Sequence, residues 1–254
     1  MSFKRISILS VFSIFFLYGG LILSLLYFSR PSLIPSTLLS GRVLFSIRLS
    51  LLTATIAALL SVGGGIPAAY ALSRFDFPGK KTIDTLLELP IVVSPAAFGA
   101  MILIFFNNPL GMWIQEKWYR FVFEVQGIIL AQMITSIGIS TRLIKAAMDE
   151  ISHRYEEVAR SLGASHAKAF FTITVPLLKK GILAALILTW AKALGEFGAT
   201  ITIAGSMPFK TETLPIAIFM RLSTADIEGT VVLILILILL GLGILYGLRV
   251  FLRT

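Results

Sequence analysis

The chain has 254 residues, a mean hydropathy of +0.92 and 57% hydrophobic residues, more than the surface of a soluble domain can hide. Its net charge of +9 sits in short stretches between long apolar runs, which excludes nucleic acid as a partner and leaves a polytopic α-helical protein of membrane lipid. Cysteine is absent, so neither a disulfide framework nor a thiolate metal site is possible.

Lys4 and Arg5 precede an apolar run from Ile6 to Phe28. The run exceeds a secretory h-region and no small-x-small cleavage site follows it, so it reads as a retained first span over 6–28. Arg30 to Arg42, with Pro31 and Pro35, is expected as a short external loop. The second span, 43–72, contains Gly63, Gly64, Gly65 and Pro67. That cluster predicts a kink or local unwinding, either a hinge lining a pathway or a passive bend.

A third span is expected over 84–106, with Leu89-Pro90 and Ser94-Pro95 breaking its early part. Asn107 to Arg120 is expected outside, with a turn at Asn108-Pro109-Leu110-Gly111 and with Trp113, Trp118 and Tyr119 suited to the headgroup belt. The fourth span is 123–147, the fifth 181–204 and the sixth 229–252. Between the last two, Gly205 to Glu228 is expected outside, with a short interfacial helix over 216–222.

Basic residues concentrate at 4–5, 74–81, 142–145 and 154–180 and at Arg249 and Arg253. They are sparser at Arg30, Arg42, Lys117, Arg120, Lys210 and Arg221. The bias places the first group, and both termini, in the cytoplasm. The expected fold class is all-α transmembrane: one domain over 1–254, six spans and a cytoplasmic loop over 148–180.

That loop is a polar island in the apolar chain. Ile151, Tyr155, Val158 and Leu162 recur at the spacing of one helix face, while Glu156, Glu157 and Arg160 fall on others. Gly163 can adopt positive φ and end the helix, and Ser165 can cap a second short one. A helix, a Gly hinge and a helix between two spans suit a docking element. They suit an ordinary solvated connection equally well.

Glu157, Ala159, Gly163, Ile173 and Pro176 resemble the signature loop of the membrane subunits of binding-protein-dependent ABC importers: Glu-Ala-Ala, three residues, Gly, nine residues, Ile, any residue, Leu, Pro. Val158 and Val175 depart from it, both modestly. Gly65, Pro67, Ala69, Tyr70, Leu72 and Arg74 resemble the end of that family's second span, and Phe77 to Lys80 its following turn. The resemblance implies a type I ABC importer permease fold. It implies that Tyr155, Glu156, Glu157, Val158, Ala159, Arg160, Leu162, Gly163 and Ala164 dock on a separate ATPase subunit. It also implies two such ATPase subunits, a second copy of this chain and an extracytoplasmic binding protein.

No catalytic constellation and no Walker A motif is present. Gly79-Lys80 is followed by Lys81, and position 74 is Arg rather than Gly. No cofactor is therefore expected on this chain, and ATP with Mg belongs to the partner. His153 and His166 have no neighbouring ligand set and read as solvated loop residues.

Lys192 and Glu196 are ionisable residues within an apolar span, four apart and so on one helix face. Each costs roughly 2.5–3.5 kcal/mol at mid-membrane, which argues for an inward position. They are candidates for a translocation path with Gly195, Gly198, Ser94 and Pro95, for a dimer interface, or for a structural ion pair between packed helices. Leu194 to Thr202 resembles the fifth-span motif of molybdate permeases; sulfate permeases share its Gly-Glu-Phe-Gly-Ala core. Thr211, Thr213, Leu214 and Pro215 also resemble the molybdate branch. Molybdate or tungstate is the expected cargo and sulfate or thiosulfate the alternative. An autonomous secondary transporter would need an intramembrane cation site, for which only Glu196 lies deep enough. An intramembrane enzyme would need paired catalytic side chains within the spans.

Overall fold

The computed structural model describes residues 3–28, 30 and 32–253. Pro31, in the loop expected over 30–42, lies outside them, as do the side chains of Arg249 and Arg253. Among the described residues five helices are long and apolar enough to cross a bilayer: Phe3–Tyr27, Gly41–Arg74, Val125–Asp149, His166–Leu194 and Ile227–Gly247.

Helix α1 (Phe3–Tyr27) is mostly apolar beyond Lys4 and Arg5 and buries none of its residues. Short α2 (Leu33–Leu38) leads into α3 (Gly41–Arg74), around which the rest packs. At 34 residues α3 is about 51 Å long, well beyond the roughly 30 Å of a hydrocarbon core. It continues unbroken through Gly63–Pro67, so the unwinding expected there does not occur. One of the three glycines, Gly65, answers a packing need instead. A Cβ on Gly65 would lie 3.2 Å from both Ser140 Oγ and Thr141 Oγ1. These belong to α8 (Val125–Asp149), and the small residues Ala54, Ala58, Ala57, Ser61 and Gly65 let the two backbones approach.

The stretch between them is not one straight span. α4 (Lys80–Leu86) and α5 (Leu89–Val92) meet α6 (Pro95–Phe106) at a bend of 113°. Ser94 is extended and its Oγ accepts from Ala97 N, while Pro95 lacks the N–H that would continue the preceding helix. The expected turn at 108–111 is the start of α7 (Pro109–Lys117), because Asn108 Oδ1 accepts from Gly111 N at 2.9 Å and caps a helix.

After α8 come α9 (Arg154–Ser161), α10 (His166–Ala169), a π-helical turn at Phe170–Thr174, and α11 (Val175–Leu194). Together α10, the π turn and α11 make the 29-residue apolar helix. The fifth span, expected over 181–204, thus begins earlier and breaks at 195–197. There α12 (Gly198–Ala204) turns away to cross α6. A Cβ on Gly198 would lie 2.9 Å from Ala96 N, and one on Gly99 2.6 Å from Thr202 Cβ, so the two backbones touch.

The segment expected outside over 205–228 dips back into the bundle. Thr211, Glu212 and Thr213 are buried, as is the first turn of α13 (Leu214–Ser223). Leu214 N donates to Ser50 Oγ at 2.7 Å, well inside α3, and Glu212 accepts both Nε and Nη2 of Arg42 at 2.6 Å. α13 is therefore anchored in the protein rather than laid on a membrane surface. α14 (Ile227–Arg253) closes the bundle against α13, with Val232, Leu233 and Ile236 packed on Val43, Leu214 and Ala217.

Candidate coupling joint and path

Helix α9 sits at the end of the bundle where α3 and α8 finish. Its polarity is reversed relative to an ordinary surface helix. Tyr155, Val158 and Leu162 are 57%, 60% and 84% exposed, whereas Glu156 is turned inward and buried. Three residues of the stripe legible in the sequence face out, while the fourth, Ile151, is partly buried against the core. Glu157 and Arg160 flank it, exposed, and Ala159 and Ala164 are partly covered. Glu156, expected on the docking face with its neighbours, lies beneath it.

The helix ends in a Schellman turn. Gly163 N donates to Arg160 O, Ala164 N donates to Ala159 O, and Gly163 has φ +90°. Ser165 Oγ then accepts from Lys168 N and starts α10.

Glu156 is the centre of a joint. Its Oε1 accepts from Arg74 Nε at 2.9 Å and from Thr174 Oγ1 at 2.8 Å; its Oε2 accepts from the Tyr70 hydroxyl at 2.9 Å. The Arg74 side chain is 3% exposed. Its Nη2 donates to Met148 O and Ile151 O, at the last turn of α8 and just beyond it, where a cation is favoured. The ends of α3 and α8, the π turn and α9 are thus tied through one carboxylate. Burial works to raise the Glu156 pKa. The hydrogen bonds from Thr174, Tyr70 and Arg74, with the Arg74 charge, outweigh it and hold the group below the usual carboxylate range. The charge bias and the resemblance put Arg74 at the cytoplasmic end of its span, and the resemblance alone singled out Tyr70. Nothing local links either to Glu156, 82 and 86 positions further on.

The second set of candidates gathers at the two helix breaks. Gly198 rests against Pro95, so the bend at Ser94-Pro95 and the break at 195–197 are in contact. Ser94, Pro95 and Gly195 are exposed in the single chain. Lys192 Nζ donates to Glu196 Oε2 at 3.1 Å, with side chains 31% and 2% exposed. Glu196 Oε1 also accepts from Ala199 N and so caps α12. Glu196 fixes the break from inside, and Lys192 is the member of the pair that reaches open space. Glu196→Gln is expected to destabilise the protein by about 2 kcal/mol by leaving Lys192 uncompensated. Removing both charges is expected to cost less than the sum of the single changes, and additive losses in thermal melts of the four variants would show that the pair is not coupled.

The chain is thus a bundle of long apolar helices with two abutting helix breaks and a short helix whose apolar side chains face outward. Residues 61–253 match the model of the family described as "Binding-protein-dependent transport system inner membrane component", and the chain belongs to that family. It is 36% identical over 189 residues to the molybdenum transport system permease protein ModB of Escherichia coli K12, covering 72% of this chain and 82% of that protein. It is also 36% identical over 173 residues to the sulfate transport system permease protein CysW of Synechococcus elongatus, covering 67% and 60%. In fold it is similar to a chain of a bacterial alginate ABC transporter, solved in complex with an alginate pentasaccharide-bound periplasmic protein. The TM-score is 0.77 at 16% identity, over 96% of this chain and 92% of that one.

Proposed function

We propose that this ABC importer permease subunit carries a tetrahedral oxyanion of the molybdate and tungstate class across the cell membrane of a prokaryote by alternating access. In this reading it spans the membrane six times with both termini cytoplasmic, the bent α4–α6 stretch counting as one span. It pairs with a second copy of itself and with two ATPase subunits that hold ATP and Mg. The observation that carries the reading is the outward-turned apolar face of α9, fastened by Glu156 to the ends of α3 and α8. Such a helix is incomplete until a partner covers it, and any displacement of that partner passes to the long helices.

Closing of the ATPase pair on ATP moves the α9 helices together and opens the path outward. Hydrolysis and product release reset it. The path needs only weak binding, because selectivity for a dianion requires many fixed donors, and those belong to an extracytoplasmic receptor. The Leu194–Thr202 sequence, at the contact between the two breaks, favours molybdate or tungstate. Sulfate is the second reading, supported by equal identity to CysW. The receptor that partners this chain is expected to bind molybdate and tungstate at least about 100-fold more tightly than sulfate, a gap of some 2.7 kcal/mol in calorimetry. A receptor that prefers sulfate moves the assignment to the second reading. Uptake by the purified chain alone, with no ATPase present, would overturn the importer mechanism itself.

A further inference from the structure

Thr174 is the last residue of the π turn at Phe170–Thr174, and it is fully buried. Its Oγ1 donates to Glu156 Oε1 at 2.8 Å, a bond between positions 18 apart in the chain. The sequence accounts for the turn. Pro176 has no N–H, and its ring excludes the carbonyl of residue 172 from its usual place in an α-helix. Val175 N donates instead to Phe170 O, one residue further back than an α-helix allows. An α turn of the same residues would rotate Thr174 by nearly one residue's step, about 100°, and carry its hydroxyl off Glu156.

The covalent route from α9 to α11 is interrupted twice, at the left-handed Gly163 and at the π turn. The Thr174–Glu156 bond bypasses both. Of the three side chains that donate to Glu156, Tyr70 and Arg74 belong to α3, and only Thr174 stands at the base of α11. Burial raises the Glu156 pKa, and the Thr174 hydroxyl is the foremost of the bonds that lower it. Near this end α11 meets α3 and α8 through Leu178, Ala185, Val62 and Ile144, apolar contacts that permit small sliding between packed helices. From Val175 to Leu194 α11 runs about 30 Å, and it ends at the break at 195–197 where Lys192 and Glu196 pair.

We propose that Thr174 is a positioning residue of the coupling joint: its hydroxyl ties the base of α11 to the docking helix and passes the displacement of α9 along α11 to the helix break at 195–197. The inference rests on the coupling reading of α9 above. Arg74 serves the ends of α3 and α8, and Thr174 serves the helix that ends at the break. Pro176 contributes by making the turn that aims the hydroxyl.

The importer is assembled in vesicles with its ATPase and with receptor loaded with molybdate or sulfate. Thr174→Val keeps the shape of the side chain and removes the donor. Receptor-stimulated hydrolysis is expected to fall about fivefold, with as much ATPase co-purified as in wild type. In wild type, trapping with ATP and vanadate is expected to change hydrogen exchange at the Gly195 and Glu196 amides and at the Phe75 amide that closes α3. In Thr174→Val the change at the break should disappear and the change at Phe75 should remain, because Arg74 still holds α3 to Glu156. Thr174→Ser should restore both the hydrolysis and the response at the break. Normal stimulated hydrolysis in Thr174→Val overturns the proposal. So does a serine variant no better than the valine one, which would make the residue a matter of packing. Loss of both exchange responses would mean that the joint as a whole has come apart, and a wild-type complex silent at 195–196 would mean that α11 carries no displacement; either result overturns it too. Failure of the coupling reading itself is visible without any variant, as a wild-type complex that loaded receptor does not stimulate.

Discussion

Gly163→Val is expected to reduce receptor-stimulated ATP hydrolysis by the assembled importer more than tenfold, with dimer formation intact. Gly163 has φ +90° at the end of α9 and both hydrogen bonds of the Schellman turn run across it. Left-handed backbone costs an ordinary L-residue about 1–2 kcal/mol, and a β-branched one more. Every 1.4 kcal/mol lowers the population of the docking-competent turn about tenfold. The space around Gly163 is open, with nothing within 4 Å of a built Cβ, so the effect is conformational rather than steric. Gly163→Asn should therefore keep most of the activity, because Asn tolerates the left-handed region. Leu162, at the same turn, is 84% exposed and would move with it, so the valine variant should also co-purify less ATPase. The long helices do not depend on this residue. Near-normal stimulated hydrolysis in Gly163→Val would remove the coupling role from the α9–α10 turn.

The turn at Gly163 was legible because a cap is local: a Gly, a periodic run before it and a Ser after it suffice. The long apolar helices were legible for the same reason. Contacts between distant segments were not. Periodicity set the phase of the Tyr155–Val158–Leu162 stripe but not its direction, since an apolar face looks alike whether it meets its own chain or another. The Gly63–Pro67 cluster was read as a weak point, yet α8 supplies a surface against which the bare backbone of Gly65 packs. The polar sequence 205–213 reads as external. The burial of its end, 211–213, depends on Arg42 and Ser50, which lie 170 residues before Glu212 and 164 before Leu214 and satisfy the Glu212 carboxylate and the Leu214 N–H. The proline pairs of the third segment announced a break, but not its 113° angle, which the crossing of α6 by α12 holds in place.

The joint at Glu156 carries the second large effect. Arg74→Met is expected to leave the buried carboxylate without its cation, at a cost of about 3–5 kcal/mol in the packing of α9 against α3 and α8. The exposed face of α9 is unchanged, so the ATPase should still co-purify. Its hydrolysis should no longer respond to loaded receptor, because the helix can shift without moving the long helices. This separates the joint from the Gly163 turn, where association itself suffers. Glu156→Gln combined with Arg74→Met should be milder than Arg74→Met alone, since an uncharged pair leaves no buried ion. The joint also has a pH signature. The Glu156 carboxyl is held below its unfolded value of about 4.3, so its contribution is fully present above that value and is lost as pH falls through the lower folded one. The difference in thermal stability between wild type and Glu156→Gln should be full-sized at neutral pH and shrink below about pH 4. A gap that stays constant into acid would mean that Glu156 is not held as a carboxylate by Arg74, Tyr70 and Thr174. Receptor-stimulated hydrolysis unaltered in Arg74→Met would mean that force reaches the long helices by another route, leaving the covalent connections through Ile151 and the π turn as the remaining candidates.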